Sequence, residues 1–178
     1  MNKFNPEQYL LKIQKQKYKI AILPILVVVI GFFFHSSFQF TFLKYVSLAG
    51  LLGYVFVIML HKVNKAVPPV CEQKHILSPI SGKITSIKNN KIEIEKSIFD
   101  PIDIRCSTSS DKIDIIWKNR KPKFFEENCQ LPGKLIGMII GKVNCILKLP
   151  DDYVIDVKEG QKLLAGETIM AKSSEFQL

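Results

Sequence analysis

From Ile20 to Leu60 the chain carries one formal charge, Lys44, and this apolar tract limits what the remaining residues can do. It consists of Ile20–Phe34 (IAILPILVVVIGFFF), the weakly polar HSSFQFTF, and Tyr45–Leu60 (YVSLAGLLGYVFVIML). A helix that crosses the hydrocarbon core of a bilayer needs about 20 apolar residues. Each segment approaches that length, and the first can extend towards Phe42. A secretory signal peptide has one apolar core with a small-residue cleavage site soon after it. Here a second apolar segment follows, and a long basic region precedes the first. The competing reading is a pair of buried core helices, but the rest of the chain is too rich in short β segments to cover both. Residues 20–61 are therefore expected to form a helical membrane hairpin, either spanning or re-entrant.

Charge supports a membrane partner. The 178 residues have a net charge of +9, and residues 1–19 alone hold five Lys against Glu7. Residues 62–178 hold 19 Lys and Arg against 15 Asp and Glu. The excess is densest beside the apolar tract, which favours an anionic membrane surface over nucleic acid. Lys12, Lys15, Lys17 and Lys19 precede the hairpin, His61, Lys62 and Lys65 follow it, and its loop has no charge before Lys44. Positive residues at both outer ends put the C-terminal domain on the cytoplasmic side of the inner membrane. Residues 1–19 form a basic interfacial segment, in which a helix over Pro6–Lys19 turns Tyr9, Leu10 and Ile13 towards lipid.

Residues 62–75 read as a linker, stiffened by Val67-Pro68-Pro69 because each Pro fixes φ and holds its predecessor extended. Short strands with turn punctuation follow over residues 76–174. They are Ile76–Ile80, Gly82–Ile87, Lys91–Lys96, Ile102–Cys106, Lys112–Trp117, Leu135–Ile140, Asn144–Leu149, Tyr153–Val157 and Leu163–Ala171. Asn89-Asn90 marks a tight hairpin turn, and Lys91-Ile92-Glu93-Ile94-Glu95 alternates as a half-buried strand does. No three-turn helical periodicity occurs here. The domain is expected to be all-β, a sandwich or small barrel. Cys71, Cys106, Cys129 and Cys145 form no C-x-x-C pair and no Cys/His cluster, so no zinc or other metal site is expected. Free thiols in a reducing compartment are the preferred reading.

Val157–Ala171 places Gly160 and Gly166 between short apolar strands, and Ser78-Pro79-Ile80-Ser81-Gly82-Lys83-Ile84 stands near the domain start. Barrel-sandwich domains of the biotinyl/lipoyl type share this arrangement. With the basic N-terminus, apolar hairpin and Pro-containing linker, the whole chain resembles the short-form phosphatidylserine decarboxylases. Ser78–Ile84 is similar to that family's Ser-Pro-Ala-Asp-Gly-Lys-Val. Phe99-Asp100-Pro101-Ile102-Asp103-Ile104-Arg105 resembles its Ser-Pro-Phe-Asp-Val-His segment. Gly137-Met138-Ile139 through Leu149-Pro150 is similar to its Gly-Met-Ile-Arg-Phe-Gly-Ser-Arg-Val-Asp-(x)2-Leu-Pro.

The resemblance implies a membrane-bound protein of phospholipid metabolism. Members of the family cleave themselves at a Gly-Ser bond to make a pyruvoyl group, which decarboxylates phosphatidylserine to phosphatidylethanolamine through a Schiff base. A His oriented by an Asp activates that Ser. In this chain the Asp position is Ser81 and the His position is Arg105, a residue that stays protonated and cannot act as a base. The cleavage position falls on Gly141-Lys142-Val143, and no Ser occurs between Ser110 and Ser173. No pyruvoyl cofactor is expected, and no catalytic residue is assigned.

Arg105 and Lys142 are candidates for binding a phospholipid headgroup instead, since both residue types bind phosphate. Lys142 as a Schiff-base amine and Cys145 as a self-cleaving thiol are less favoured than a solvated lysine and a buried thiol. His75 is expected as an exposed linker residue. Trp117 and Phe124-Phe125 read either as core or as interfacial anchors. The leading reading is a non-catalytic lipid- or partner-binding homologue, and a homo- or hetero-oligomer with a related subunit is compatible with it. The alternatives are an active decarboxylase using unidentified residues, a barrel-sandwich membrane adaptor, and a biotin or lipoyl carrier. The carrier lacks a Met-Lys-Met or Asp-Lys-Ala motif.

Overall fold

The computed structural model describes residues 6–64, 69, 75–108, 113–126 and 131–174. Lys65, Val67-Pro68, Cys71, Lys112 and Cys129 therefore lie outside the described residues. The chain divides into two compact units, Met1–His61 and Lys62–Leu178.

The first unit is a helical hairpin of α1 (Pro6–Phe38) and α2 (Phe42–Leu60). Both helices are long and apolar enough to cross a membrane. At 1.5 Å per residue α2 is about 28 Å long, close to the thickness of a hydrocarbon core. Their apolar side chains are not core: Leu23 is 73% exposed and Phe32 70%. Gln39 takes a positive φ of 54° and breaks the helical path between them. The two helices approach closely at Gly50, where a Cβ would lie 2.9 Å from Val28 Cγ2 and 3.0 Å from the Pro24 carbonyl oxygen. Small residues at such contacts allow apolar helices to pack in lipid.

The basic segment is not separate. Pro6–Lys19 runs without a break into the apolar tract, because its Lys, Gln and Leu residues favour helix and nothing between Lys19 and Ile20 interrupts it. Leu10 is exposed, whereas Ile13 is only 2% exposed and is covered by protein instead of facing lipid.

The second unit is β-rich and built from antiparallel sheets, none of which closes into a barrel. Its strands are β1 (His75–Leu77), β2 (Gly82–Lys88), β3 (Lys91–Lys96), β4 (Asp103–Arg105), β5 (Asp114–Lys118) and β6 (Lys123–Phe124). They continue as β7 (Leu135–Met138), β8 (Val143–Lys148), β9 (Tyr153–Ile155), β10 (Lys162–Leu163) and β11 (Ile169–Ser173). The sheet orders are β1-β11-β9, β10-β2-β3-β8-β5 and β4-β7-β6. The β2–β3 turn has φ values of 47° at Asn89 and 57° at Asn90, the doubly left-handed turn that Asn tolerates. The short strand β6 was absent from the expected set.

Along β3, Ile92 and Ile94 point into a core shared with Ile84, Cys145 and Leu147, while Glu93 and Glu95 face outwards. Lys96 falls on the next inward position and is fully buried. The two ends of the unit interlock, because β10 pairs with β2 and β11 with β1.

The cysteines depart from the expectation of four free thiols. Cys145 is free and buried, but Cys106 is disulfide-bonded. Sequence spacing carries no information about which thiols a folded β unit brings together, which is why the bond was not foreseen.

Candidate functional site

Ser78–Gly82 is held in place by backbone and side-chain bonds to distant segments. The Gly166 amide donates to the Ser78 carbonyl and the Arg105 amide to the Pro79 carbonyl, each at 2.8 Å. The Ala165 amide donates to Ser81 Oγ at 3.0 Å. The two glycine-containing motifs at opposite ends of the domain thus meet in space. Gly166 is required there, since its φ is +72° and a Cβ would collide with Arg105 Cδ.

Beside this junction lies an open cleft of about 540 Å³, lined by Ser81, Lys83, Lys142 and Lys162 with Glu95 and Asp100. Ile98, Pro101, Leu163 and Leu164 supply its apolar surface. The strand register explains the cations. Lys162 on β10 stands directly opposite Lys83 on β2, and Lys83 stands opposite Glu95 on β3. Like charges directly opposite on neighbouring strands repel. Glu95 is engaged by Lys142, which is 63% exposed at its side chain. Among the described residues Lys83 and Lys162 form no ion pair. Three lysines therefore share the cleft with two carboxylates, and two of the three stand directly opposite in the strand register.

The candidate residues do not converge. Ser81 and Lys142 line the cleft, but Arg105 does not. Arg105 is 8% exposed, with Nε donating to Asp103 Oδ2 at 2.8 Å, Nη1 to the Gly133 carbonyl at 2.9 Å and Nη2 to the Asn64 carbonyl at 2.7 Å. The Asn64 amide in turn donates to Asp103 Oδ1 at 3.1 Å. These bonds make the Asp103–Arg105 pair an internal tie between β4 and the segment that enters the unit. With each nitrogen donating to an internal acceptor and the side chain only 10% exposed, the guanidinium is held by the fold instead of being presented to a ligand.

Behind the cleft, Lys96 Nζ donates to the carbonyls of Ser97 at 3.1 Å and Asp100 at 3.0 Å, and reaches that of Gly141 at 3.5 Å. Burial pushes its pKa below the usual lysine value, against the opposing pull of Asp100 and Asp103. Lys96 thereby fastens the loop after β3 to the backbone before Lys142.

Cys145 is fully buried, and burial pushes its thiol up to about 12, which leaves no thiolate for nucleophilic attack near neutrality. Exposed Lys142 lacks the desolvated setting in which a lysine becomes a Schiff-base amine. His75 opens β1 and is half-buried, so it is no exposed linker residue. Trp117 packs against the core and meets Phe124 edge to face at 6.4 Å, while Phe124 itself is 45% exposed. Among the described residues no group of three His, Cys, Asp or Glu side chains is placed to hold a metal ion.

Lys83 and Lys162 were absent from the candidates. Both lie in the two glycine motifs, but their opposition depends on the β10–β2 pairing. No protein-family model, curated protein or solved structure matches the chain.

Proposed function

We propose that the chain is a membrane-anchored, non-catalytic relative of the phosphatidylserine decarboxylases that binds the headgroups of anionic phospholipids. In this reading the β unit is a barrel-sandwich-like domain at the membrane surface, working in phospholipid metabolism alone or beside a related subunit. The observation that carries it is the Lys83–Lys162 opposition in a cleft shared with Lys142 and Ser81. A phosphate oxyanion placed between two unpaired ammonium groups removes their repulsion and gains charge-assisted hydrogen bonds. The interlocked ends of the unit support the barrel-sandwich likeness. Two helices of membrane length support the anchor. Ser81, Arg105 and Lys142 at the family's reactive positions supply neither a base nor a Gly-Ser bond, which favours loss of self-cleavage.

Two measurements on the detergent-solubilised full chain test this. Intact mass gives one species near 20.3 kDa. Two fragments split near Gly141–Cys145, the smaller with a blocked N-terminus, would establish self-cleavage and overturn the non-catalytic reading. Calorimetric titration with dihexanoyl phosphatidylglycerol and dihexanoyl phosphatidylserine gives saturable binding at least about tenfold tighter than with the phosphatidylcholine analogue. The K83Q/K162Q variant loses that preference. Equal affinity of the native chain for all three lipids removes the headgroup reading.

A further inference from the structure

The cleft's surface mixes exposed aliphatic side chains with exposed lysines, while Pro101 and Leu163 in its lining are buried. Ile98, in the turn after β3, is 44% exposed, and Leu164, in the turn after β10, is 46% exposed. Both line the cleft that holds Lys83, Lys142 and Lys162, with Pro101 and Leu163 completing the apolar wall. Two separate loop tips thus each present an exposed branched aliphatic side chain beside exposed lysines. Water gains nothing from that arrangement. Exposed aliphatic side chains among lysines match the chemistry of a bilayer interface, with acyl chain beside phosphate. The chain also carries its own anchor of two membrane-length helices, so the β unit always meets a lipid surface at high effective concentration.

We infer that the Ile98 and Leu164 tips seat in the interfacial layer of the anionic bilayer to which the chain is anchored. The cleft then opens onto the membrane plane, and Lys83, Lys142 and Lys162 receive a lipid phosphate from the bilayer instead of a soluble phosphate ester from solution. This inference rests on the headgroup reading for the lysines, but the two tips make a separate physical claim.

The test uses the full chain reconstituted in phosphatidylcholine vesicles, with or without about 30 mol% phosphatidylglycerol to supply a negative surface potential. Trp117, the single native Trp, is replaced by Phe, and one reporter is introduced as I98W, L164W or V154W. Val154 is 45% exposed on β9 and does not line the cleft. In the anionic vesicles the I98W and L164W indoles are quenched by brominated lipid and shielded from aqueous iodide, whereas V154W is open to iodide. Adding K83Q/K162Q reduces the lipid quenching of both tip reporters. Iodide accessibility of I98W and L164W equal to that of V154W overturns the inference. Tip quenching with undiminished short-chain lipid binding by K83Q/K162Q upholds tip insertion while removing the headgroup reading. Lysine-dependent short-chain binding with iodide-open tips does the reverse. If the tip reporters are protected from both iodide and brominated lipid, a protein covers the tips, and the inference fails.

Discussion

Arg105 and the Lys83–Lys162 pair are cationic groups of the same β unit, reached from the same Ser78–Gly82 segment, yet their surroundings are opposite. Arg105 is buried, faces the Asp103 carboxylate and donates from all three nitrogens. Lys83 and Lys162 sit at a cleft surface, stand opposite each other in the strand register and form no ion pair among the described residues, although Glu95 lies opposite Lys83 on the other side. A buried charge survives only when its partners are complete, because the desolvation it suffers is otherwise uncompensated. A surface charge survives without partners because water solvates it. The first arrangement therefore serves the fold, whereas the second leaves two ammonium groups without protein partners among the described residues. The difference shows why position in a motif does not by itself identify a binding residue.

The comparison breaks first at Arg105. R105M leaves Asp103 buried without its cation, and removing one member of a buried pair costs about 3–5 kcal/mol. Urea unfolding of the full chain in detergent is expected to show a loss of that order. The double variant D103L/R105M should recover a large part of it, since the orphaned charge is gone. A loss near zero for R105M would place the guanidinium in solvent and reopen it as a ligand group.

Lys96 stands between the two extremes: it is buried like Arg105, but its direct partners are carbonyls and no carboxylate is bonded to it. K96M removes the donor from these carbonyls and is expected to cost about 1–3 kcal/mol. Its pH signature is sharper. Because burial lowers the folded-state pKa below 10.5, the unfolded chain holds a proton that the folded chain has released between the lowered value and 10.5. Stability contributed at this position therefore rises with pH across that window. Cys145 acts in the opposite sense above pH 9.0, since its folded thiol titrates only at about 12 while the unfolded thiol has already ionised. The difference in melting temperature between native chain and K96M cancels the Cys145 contribution, and it should widen in favour of the native chain as pH approaches 10.5. A flat difference would show that Lys96 is solvated.

What the sequence disclosed follows from the range of the interactions involved. The apolar tract, the Asn89-Asn90 turn and the Ile92/Ile94 alternation are local patterns, and each has its counterpart in α1, α2, β2 and β3. The same alternation assigns Lys96 to the core face, but a period of two says nothing about the three carbonyls that make burial tolerable there. Arg105 looked like a free phosphate ligand because Asn64 and Gly133, its backbone acceptors, are far from it in the chain. Lys83 and Lys162 escaped notice for the same reason, since their opposition exists only once β10 docks on β2.

The smallest expected effect concerns that opposition and is the most specific. Most single changes destabilise a protein, and exposed substitutions away from special features fall within about 0.5 kcal/mol of neutral. K162Q removes one of two like charges facing each other across a strand pair, where each such contact is worth about 0.2–1 kcal/mol. The variant should therefore be slightly more stable than the native chain in low salt, and the gain should shrink as salt screens the repulsion. K83Q should gain less, because Lys83 also stands opposite Glu95 and loses that attraction, and K83Q/K162Q should gain no more than K162Q alone. Saturating short-chain anionic lipid should reverse the order, stabilising the native chain and leaving the double variant unmoved. A destabilising K162Q in low salt would mean that the lysine already has a partner in the fold, as Arg105 does, and the contrast between the two cationic groups would disappear.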